Sequence, residues 1–517
     1  MALRNSLYVA VSHRTRNDIL AVTPQVDSVS NVTQSPAAAE SVELPPAPRP
    51  LCVDLDGTLV KSDTLIDSLL LLARTRPRLV PMLFARVLRG KAAFKAFVTD
   101  NVTLDVEHLP YNRKLLHYLR EQHREGRPIY LATGADVRIA RRVAAHLGIF
   151  TGVLGSDGAT NLTGSKKLAA LRGTPGIAEF DYIGNDTPDL PLLAIAAEPM
   201  VANPTRRLRS SMRSRSITPT RSFEERNHFI GSALKAVRPH QWTKNLLIFL
   251  PLLLAHIVAA PRILAALIAF ACFSLAASSA YIVNDLLDID ADRRHPQKRH
   301  RPFASGDLDA FTGLLIATAF LALAVAGARF LPAEFTGWLV LYLATTFAYT
   351  TILKRFALVD VLVLSGLYTL RLLAGAAATD THISPWLAGF SVFLFLSLAI
   401  VKRFAELENL ITRGATPRNG RGYLLTDLNQ LRSFGTASAF AAVVVFTNYI
   451  SSSDVVALYN HAERLWIIMP LMILWLCRVW LLASRGLLNE DPLVFALTDK
   501  QSLIIGAAVI AVVLFAI

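Results

Sequence analysis

The sequence is poor in cysteine and in charge. Only Cys52, Cys272 and Cys477 occur, with no C-x-x-C pair and no Cys/His cluster, which excludes a disulfide framework and a zinc scaffold. Charged residues are 18% of the 517, against about a quarter in soluble proteins. Apolar residues reach 53% and mean hydropathy is +0.40, so an all-soluble enzyme is excluded and the surplus belongs in a lipid bilayer. Acidic residues are the scarcer sign, and 53 Lys and Arg against 39 Asp and Glu leave a net charge of +14. That balance suits anionic headgroups, phosphorylated substrates or nucleic acid; beside long apolar stretches, nucleic acid is not expected as the partner. No charged-then-apolar leader opens the chain, so the N-terminal part is expected to stay in the cytoplasm, on the inner face of the cell membrane.

The averages hide two unlike halves. Residues 1–47, rich in Ala, Pro, Ser, Val and Thr, read as a disordered lead, and 48–202 as a soluble domain. Residues 203–228 carry Arg206, Arg207, Arg209, Arg213, Arg215, Arg221 and Arg226 and read as a basic linker, solvated or resting on anionic lipid. Residues 229–517 form the membrane half, an all-α polytopic bundle. Nine spans are expected, roughly 245–260, 262–284, 308–330, 333–353, 356–378, 383–401, 430–450, 464–484 and 500–517, the first short and containing Pro251. Cationic loops follow the second span (Arg293, Arg294, Lys298, Arg299, Arg301), the fourth (Lys354, Arg355) and the sixth (Lys402, Arg403, Arg413, Arg418, Arg421), whereas the alternate loops hold Arg262, Arg329 and Arg464. The cationic loops are expected in the cytoplasm, on the same side as the soluble half.

In the soluble half, Leu51-Cys52-Val53 is a short apolar run that ends in Asp54-Leu55-Asp56-Gly57-Thr58. A buried parallel strand would deliver both carboxylates to its C-terminal edge, where α/β sheets bind ligands. Runs at Pro128–Thr133 and Phe180–Gly184 end in small or polar residues, and amphipathic helices at Leu115–Arg124 and Val137–Leu147 fill the gaps, so a doubly wound α/β sheet is expected. A carboxylate can attack a phosphoryl group when Mg²⁺ offsets the charge repulsion and a second acid protonates the leaving oxygen. Asp54 and Asp56 can supply those roles, Thr133 would hold phosphate oxygens, and Lys166 or Lys167 would balance charge.

These residues resemble the haloacid dehalogenase superfamily of phosphatases. The resemblance implies that Asp54 is the nucleophile, Asp56 the acid/base, Thr133 the phosphate-binding hydroxyl and Lys166 or Lys167 the lysine. The family's fourth motif, G-D-x-x-x-D, is here Gly184-Asn185-Asp186-Thr187-Pro188-Asp189, with asparagine in the first acidic place. Asp189, aided by Asp186, would remain to hold Mg²⁺ with Asp54. An active phosphatase and a weakened or inactive scaffold both stay open. The insert between Asp63 and about Leu109 would be a small helical cap that selects the substrate.

In the membrane half, Asn284-Asp285-Leu286-Leu287-Asp288-Ile289-Asp290-Ala291-Asp292 closes the second span. On a continuous helix Asp285, Asp288 and Asp292 share a face. Three carboxylates there repel one another unless a cation intervenes, and Mg²⁺ bridging to substrate phosphate fits that need. Asp290 points elsewhere. Basic groups surround the motif: Arg238 and Lys244 before it, next to the amide of Asn245, Arg299 after it, and Lys354 downstream of Tyr349. Asp360 and Arg371 lie inside the fifth span, where charge needs a polar cavity. At eleven residues apart they are about 16 Å apart along the helix, too far to pair, so each is expected to face a substrate chamber.

The pattern N-D-x-x-D-x-x-x-D with Tyr349 and Lys354 resembles the UbiA superfamily of intramembrane transferases. The resemblance implies metal-diphosphate binding by Asn284, Asp285, Asp288 and Asp292, with Tyr349 and Lys354 assisting. A second D-x-x-x-D motif, usual in that superfamily's prenyltransferases, is reduced here to Asp360 of Asp360-Val361-Leu362-Val363-Leu364. Arg238-Pro239-His240-Gln241-Trp242-Thr243-Lys244-Asn245, the run Asp292…His295-Pro296…Lys298-Arg299…Arg301-Pro302, and Lys402-Arg403-Phe404-Ala405-Glu406-Leu407 are similar to decaprenyl-phosphate phosphoribosyltransferases. That similarity implies a soluble donor, 5-phosphoribosyl diphosphate, and a polyprenyl phosphate acceptor whose phosphate sits near Lys244, Lys354 or Arg371. The soluble half would then remove the 5-phosphate of the product. Two other readings remain: prenyl transfer from a prenyl diphosphate to an aromatic or other acceptor, and a non-catalytic bundle with a regulatory domain. The oligomeric state is not legible.

Overall fold

The computed structural model describes residues 48–88, 90–225, 228–412, 421–488 and 492–517. The lead over 1–47, and Arg226, Arg413 and Arg418, lie outside the described residues.

The soluble half alternates short apolar strands with helices. β1 (Leu51–Val53) is followed by a helical insert of α1 (Thr64–Thr75), α2 (Val80–Val87) and α3 (Lys91–Asn101). Then come α4 (Arg113–Arg124), β2 (Ile129–Asp136), α5 (Val137–Leu147), β3 (Gly152–Ser156), α6 (Ser165–Arg172), β4 (Asp181–Gly184), α7 (Leu190–Leu193), β5 (Pro199–Ala202), α8 (Arg206–Ser214) and β6 (Arg221–Phe223). Side-chain caps fix several helix starts: Asp63 accepts from the Leu65 and Ile66 amides, and Asn112, Asp136 and Thr205 do the same for α4, α5 and α8. Among the described residues the strands form one parallel six-stranded sheet in the order β3-β2-β1-β4-β5-β6, a doubly wound arrangement. Side chains alternate across it. Leu51 and Val53 pack with Leu131, Ile139 and Ile183 on one face, while Cys52 packs with Tyr182, Val201 and Leu208 on the other.

The expected basic linker is instead the end of this domain. Leu208 and Met212, four residues apart, are buried under the arginines of α8, and β6 pairs with β5 through Met200–Arg221, Val201–Ser222 and Ala202–Phe223. The arginine run is the solvated face of a packed helix and an edge strand. The domain boundary therefore moves past 202 to about Phe223.

The membrane half begins with α9 (Phe229–Val237), a 3₁₀ helix over Pro239–Phe249 and α10 (Leu250–Leu254). It continues with α11 (Ala260–Leu287), α12 (Ile289–Arg294), α13 (Ala310–Ala328), α14 (Ala333–Thr351), α15 (Val359–Thr379), α16 (Pro385–Thr412), α17 (Leu428–Ile450), α18 (Ser453–Val456), α19 (Ile468–Ser484), α20 (Pro492–Thr498) and α21 (Lys500–Ala516). Among the described residues six helices are long and apolar enough to cross a membrane: Ala260–Leu287, Ala310–Ala328, Val359–Thr379, Pro385–Ile411, Leu425–Ile450 and Ala462–Ser484. This is fewer than the nine expected, for identifiable reasons. The stretch 245–260 carries Pro251 and folds as 3₁₀ and short α turns packed inside the bundle. α14 is diluted by threonine and tyrosine, and α21 has only 17 residues. The expected cytoplasmic loop after 401 is helical through Lys402 and Arg403 to Thr412.

Small residues let these helices approach closely. Ala269, Ala276 and Ala277 of α11 share a cluster with Ala324 and Ala328 of α13. At Gly375 of α15 an added Cβ would lie 2.2 Å from the Ile248 carbonyl oxygen, so only glycine admits the 3₁₀ segment there. Large apolar side chains such as Phe311, Leu314, Leu321, Ile504 and Leu514 project outward, as expected of a lipid-facing surface.

Candidate functional site

Two polar sites stand out, one at the sheet edge and one inside the helical half. At the sheet edge, Asp54 follows β1 directly and its amide donates to the Ile183 carbonyl of β4 at 3.0 Å. Lys167, on the first turn of α6, enters between two carboxylates. Its Nζ donates to Asp54 Oδ1 at 2.9 Å, Asp189 Oδ1 at 3.0 Å and the Tyr182 hydroxyl at 3.0 Å. Lys167 is buried and Lys166 exposed, so of the two it is Lys167 that meets the carboxylates. Asp189 also accepts from the Tyr182 hydroxyl at 2.7 Å and from the Asn185 amide at 3.1 Å. It holds Lys167 in place, more than the sequence-based metal-ligand role implied.

Gly57 turns the chain back with φ +72°, and an added Cβ there would meet Asn185 Nδ2 at 2.1 Å. Thus Asn185, the departure from G-D-x-x-x-D, is pressed against the D-x-D loop. Thr133 is fully buried in β2, and its Oγ1 accepts from the Ala135 amide at 3.0 Å. Asp56 Oδ1 accepts from the Thr64 amide at 2.9 Å. Burial raises Asp54 to about 6 despite the opposing pull of Lys167. Burial, reinforced by Asp63, raises Asp56 well above the usual carboxylate range. Burial alone would lower Lys167, but Asp54 and Asp189 carry it above its ordinary value. Both carboxylates are thus held above the usual carboxylate range by burial. Among the described residues the buried hydroxyl of Thr58, beside Asp56 in the chain, meets no hydrogen-bond partner, and Asp54 and Asn185 are hard oxygen donors; that set fits Mg²⁺ with a phosphate oxygen.

Sequence reading missed Lys95. This lysine of α3 reaches over the sheet edge and donates to the Gly134 carbonyl at 2.5 Å and to Asn161 Oδ1 at 2.8 Å. Burial lowers its ammonium below the usual lysine range, with Asp56 and Asp63 pulling the other way. Nothing in the local sequence distinguishes it from its neighbour Lys91.

Inside the helical half, the aspartates of the N-D-x-x-D-x-x-x-D segment are gripped by arginines. Arg238 Nη2 donates to both oxygens of Asp285, at 2.7 and 2.6 Å. Arg301 Nη1 joins Asp285 Oδ1 at 3.1 Å to Asp292 Oδ2 at 2.7 Å. Asp288 occupies the joint between α11 and α12, so the single continuous helical face expected for the three does not form. Its carboxylate meets Arg74 of α1 at 3.2 Å. Asn284 is half-buried on the same turn. All four side chains offer hard oxygen donors of the kind Mg²⁺ takes, but the three carboxylates do not converge on one point and arginines are their counter-charges. Arg299 lies exposed on a 3₁₀ turn and is not brought to them.

Asp360 and Arg371 do not pair, as their spacing implies. Asp360 is fully buried and accepts from the Tyr349 hydroxyl at 2.7 Å and from Arg403 Nη2 at 3.1 Å. Arg403 Nη1 also donates to both oxygens of Glu406 at 2.8 Å, and Arg421 donates to the same carboxylate. Asp360 is thereby committed to an internal ion pair, where a chamber-facing group was expected. Tyr349 belongs to this network as well. The sequence places Arg403 in a cationic loop and in the Lys402–Leu407 motif, although its i, i+3 spacing to Glu406 is a helical signal.

Arg371 Nε donates to Asn245 Oδ1 at 2.8 Å, and Asn245 Nδ2 donates to Ser274 Oγ at 3.0 Å. The guanidinium lies 4.9 Å from the Tyr342 ring centre and 5.6 Å from that of Tyr368. Lys244 stands 5.8 Å from the Tyr368 ring centre, and a cleft of about 50 Å³ is lined by Lys244, Tyr368, Leu398 and Lys402. Lys354, between α14 and α15, is lowered by burial, with Asp288 opposing.

Residues 246–498 match the profile of the UbiA prenyltransferase family. The chain is 35% identical over 463 residues to protein y4nM of Sinorhizobium fredii, covering 89% of each. It is 35% identical over 277 residues to the nodulation protein NoeC of Azorhizobium caulinodans, covering 52% of this chain and 88% of that one. It is 36% identical over 160 residues to the decaprenyl-phosphate phosphoribosyltransferase of Mycobacterium tuberculosis, but spans only 52% of that protein and 29% of itself. Among solved structures, a UbiA homolog from Archaeoglobus fulgidus bound to GPP and Mg²⁺ is 17% identical with a TM-score of 0.42, over 54% of this chain and 99% of that one. The apolar helices and the profile over the same residues agree: the C-terminal half is a UbiA-family membrane prenyltransferase domain, and the protein is a multi-pass membrane protein.

Proposed function

We propose that the membrane half transfers a phosphoribosyl group from 5-phosphoribosyl diphosphate to a polyprenyl phosphate, and that the soluble half is a haloacid dehalogenase-like phosphatase acting on the 5-phosphate of the product. The observation that carries the first part is the commitment of Asp360 to Arg403 and Tyr349. With the second acidic position spent on an internal ion pair, one diphosphate site remains, at Asp285, Asp288 and Asp292. A compact soluble donor needs no more. The similarity to decaprenyl-phosphate phosphoribosyltransferases supports the same reading. A prenyl diphosphate donor is the second reading, favoured by the family as a whole.

Mg²⁺ held by Asp285, Asp288 and Asp292 with Asn284 would offset the charge of the diphosphate. Arg238 and Arg301, already at those carboxylates, would donate to the departing diphosphate oxygens. Lys244 and Arg371, set against tyrosine rings beside the apolar interior, would orient the acceptor phosphate; Lys354 would neutralise charge at the donor side. An acceptor phosphate oxygen attacks the anomeric carbon, the C–O bond to diphosphate breaks, and diphosphate leaves. In the soluble half Asp54 attacks phosphorus, Asp56 protonates the departing alkoxide, Thr133 holds phosphate oxygens and Lys167 balances the phosphoaspartate. With a cytoplasmic soluble half, both reactions share one side of the inner membrane.

Membranes holding the full chain, incubated with donor labelled in the ribose and with polyprenyl phosphate, are expected to yield a labelled lipid. Asp285→Asn should abolish it, and Asp54→Asn should leave a lipid that keeps its 5-phosphate. Absence of labelled lipid, or equal phosphate release with and without Asp54, would overturn the respective half.

A further inference from the structure

The segment that follows Asp56 is fastened to the membrane half. Arg293 of α12 donates Nη1 to Asp67 Oδ2 at 2.8 Å and Nη2 to Ser62 Oγ at 3.0 Å, and the two charged side chains are only 4% and 3% exposed. Lys61 approaches Asp307 at 3.5 Å. Gly306 (φ +73°) sits so close that a Cβ there would be 2.7 Å from Lys61 Cβ. Leu70 packs on the cluster of Leu286, Ile289 and Phe303. Breaking a buried pair such as Arg293–Asp67 is costly because the remaining charge stays buried, so α1 is held firmly across the end of α11.

This docking carries the last turn of α1 to the aspartate motif, where Arg74 Nη1 lies 3.2 Å from Asp288 Oδ1. Around Asp288 the cations outnumber it. The ammonium of Lys354 is felt by Asp288 as an attraction and by Arg74, Arg421 and Lys298 as repulsions. Of these, Arg421 has Glu406 as its own counter-charge. Arg74, Lys354 and Lys298, drawn from both halves, gather around Asp288, the carboxylate that Arg74 pairs with. Crowded like charges of this kind are stabilised by a multiply charged anion.

We propose that Arg74, a residue of the soluble half, is a phosphate ligand of the membrane site, so that the donor diphosphate is bound between α1 and the Asp288–Lys354 wall. The soluble half is then a structural part of the transferase, whether or not it hydrolyses phosphate. The inference rests on the reading of the Asp285–Asp292 segment as a diphosphate site. It adds that the site is incomplete without α1.

The test is calorimetric titration of magnesium diphosphate into the full chain in nanodiscs, paired with steady-state transfer from 5-phosphoribosyl diphosphate. Arg74→Ala should weaken diphosphate binding about tenfold or more, the scale of one charge-assisted hydrogen bond, and raise the donor KM with a smaller change in kcat. Arg74→Lys should recover part of the loss. Arg78→Ala, which removes an exposed arginine from the turn after α1, should match the wild type. Equal binding by Arg74→Ala and wild type, or an equal loss in Arg78→Ala, overturns the inference while leaving donor turnover intact. If the donor reading is wrong, wild type releases no diphosphate from 5-phosphoribosyl diphosphate, yet Arg74→Ala still loses magnesium diphosphate binding.

Discussion

Replacing Lys167 by methionine removes the ammonium that separates two buried carboxylates. Asp54 and Asp189 are 7% and 2% exposed, and Lys167 itself 3%. Leaving such charges unpaired costs about 3–5 kcal/mol, unless the carboxylates take up protons. Lys167 lowers Asp54, which burial holds at about 6 even with the lysine present. Without it the folded-state value rises further, whereas the unfolded chain keeps a value near 4. The folded variant then holds protons that the unfolded chain has released, so its stability falls as pH rises from about 4 through the raised folded values. The deficit is expected to be full at pH 8 and much smaller at pH 5. All six tryptophans lie in the membrane half, so the readout is amide hydrogen exchange of β1 and β4 in the full chain. Protection at pH 8 should drop about a hundredfold to several thousandfold, at about 1.4 kcal/mol per tenfold. Asp54→Asn in the same chain should recover part of it. Unchanged protection at pH 8, or the same loss at both pH values, would refute the account of Lys167 as the counter-charge of both carboxylates.

Phosphate release by the soluble half is expected to fall as pH drops through about 6, where Asp54 gains its proton. A pH–rate profile of the metal-loaded protein that is flat from 5 to 8 would contradict this. Gly375→Ala forces a Cβ against the backbone carbonyl of Ile248, an atom that cannot rotate away. It should cost about 1–3 kcal/mol and lower Tm in tryptophan-monitored melting, and an unchanged Tm would show that the 3₁₀ segment can yield.

The end of β1 was legible because its buried run stops where the polar residues begin, at Asp54; β2 instead runs on through Thr133 to Asp136, and Asp189 follows β4 by five residues. The choice between Lys166 and Lys167 was not legible, since adjacent residues on α6 differ only in which way they face. The arginines of 203–228 hid a helix whose signal was present in Leu208 and Met212, set four apart on one face. The aspartates of α11 and α12 were legible as a charged cluster. Their counter-charges come from Arg74, Arg238 and Arg301, up to 214 positions away in the chain, and no local pattern announces such pairings. The same holds for Asp360, whose partner Arg403 lies on the next helix.

The most direct measurement is diphosphate release by the full chain in membranes with polyprenyl phosphate present and one donor at a time: 5-phosphoribosyl diphosphate, geranyl diphosphate or farnesyl diphosphate. The account predicts release from the phosphoribosyl donor alone, lost in Asp285→Asn. Release from a prenyl diphosphate alone, or release that survives Asp285→Asn, would contradict it.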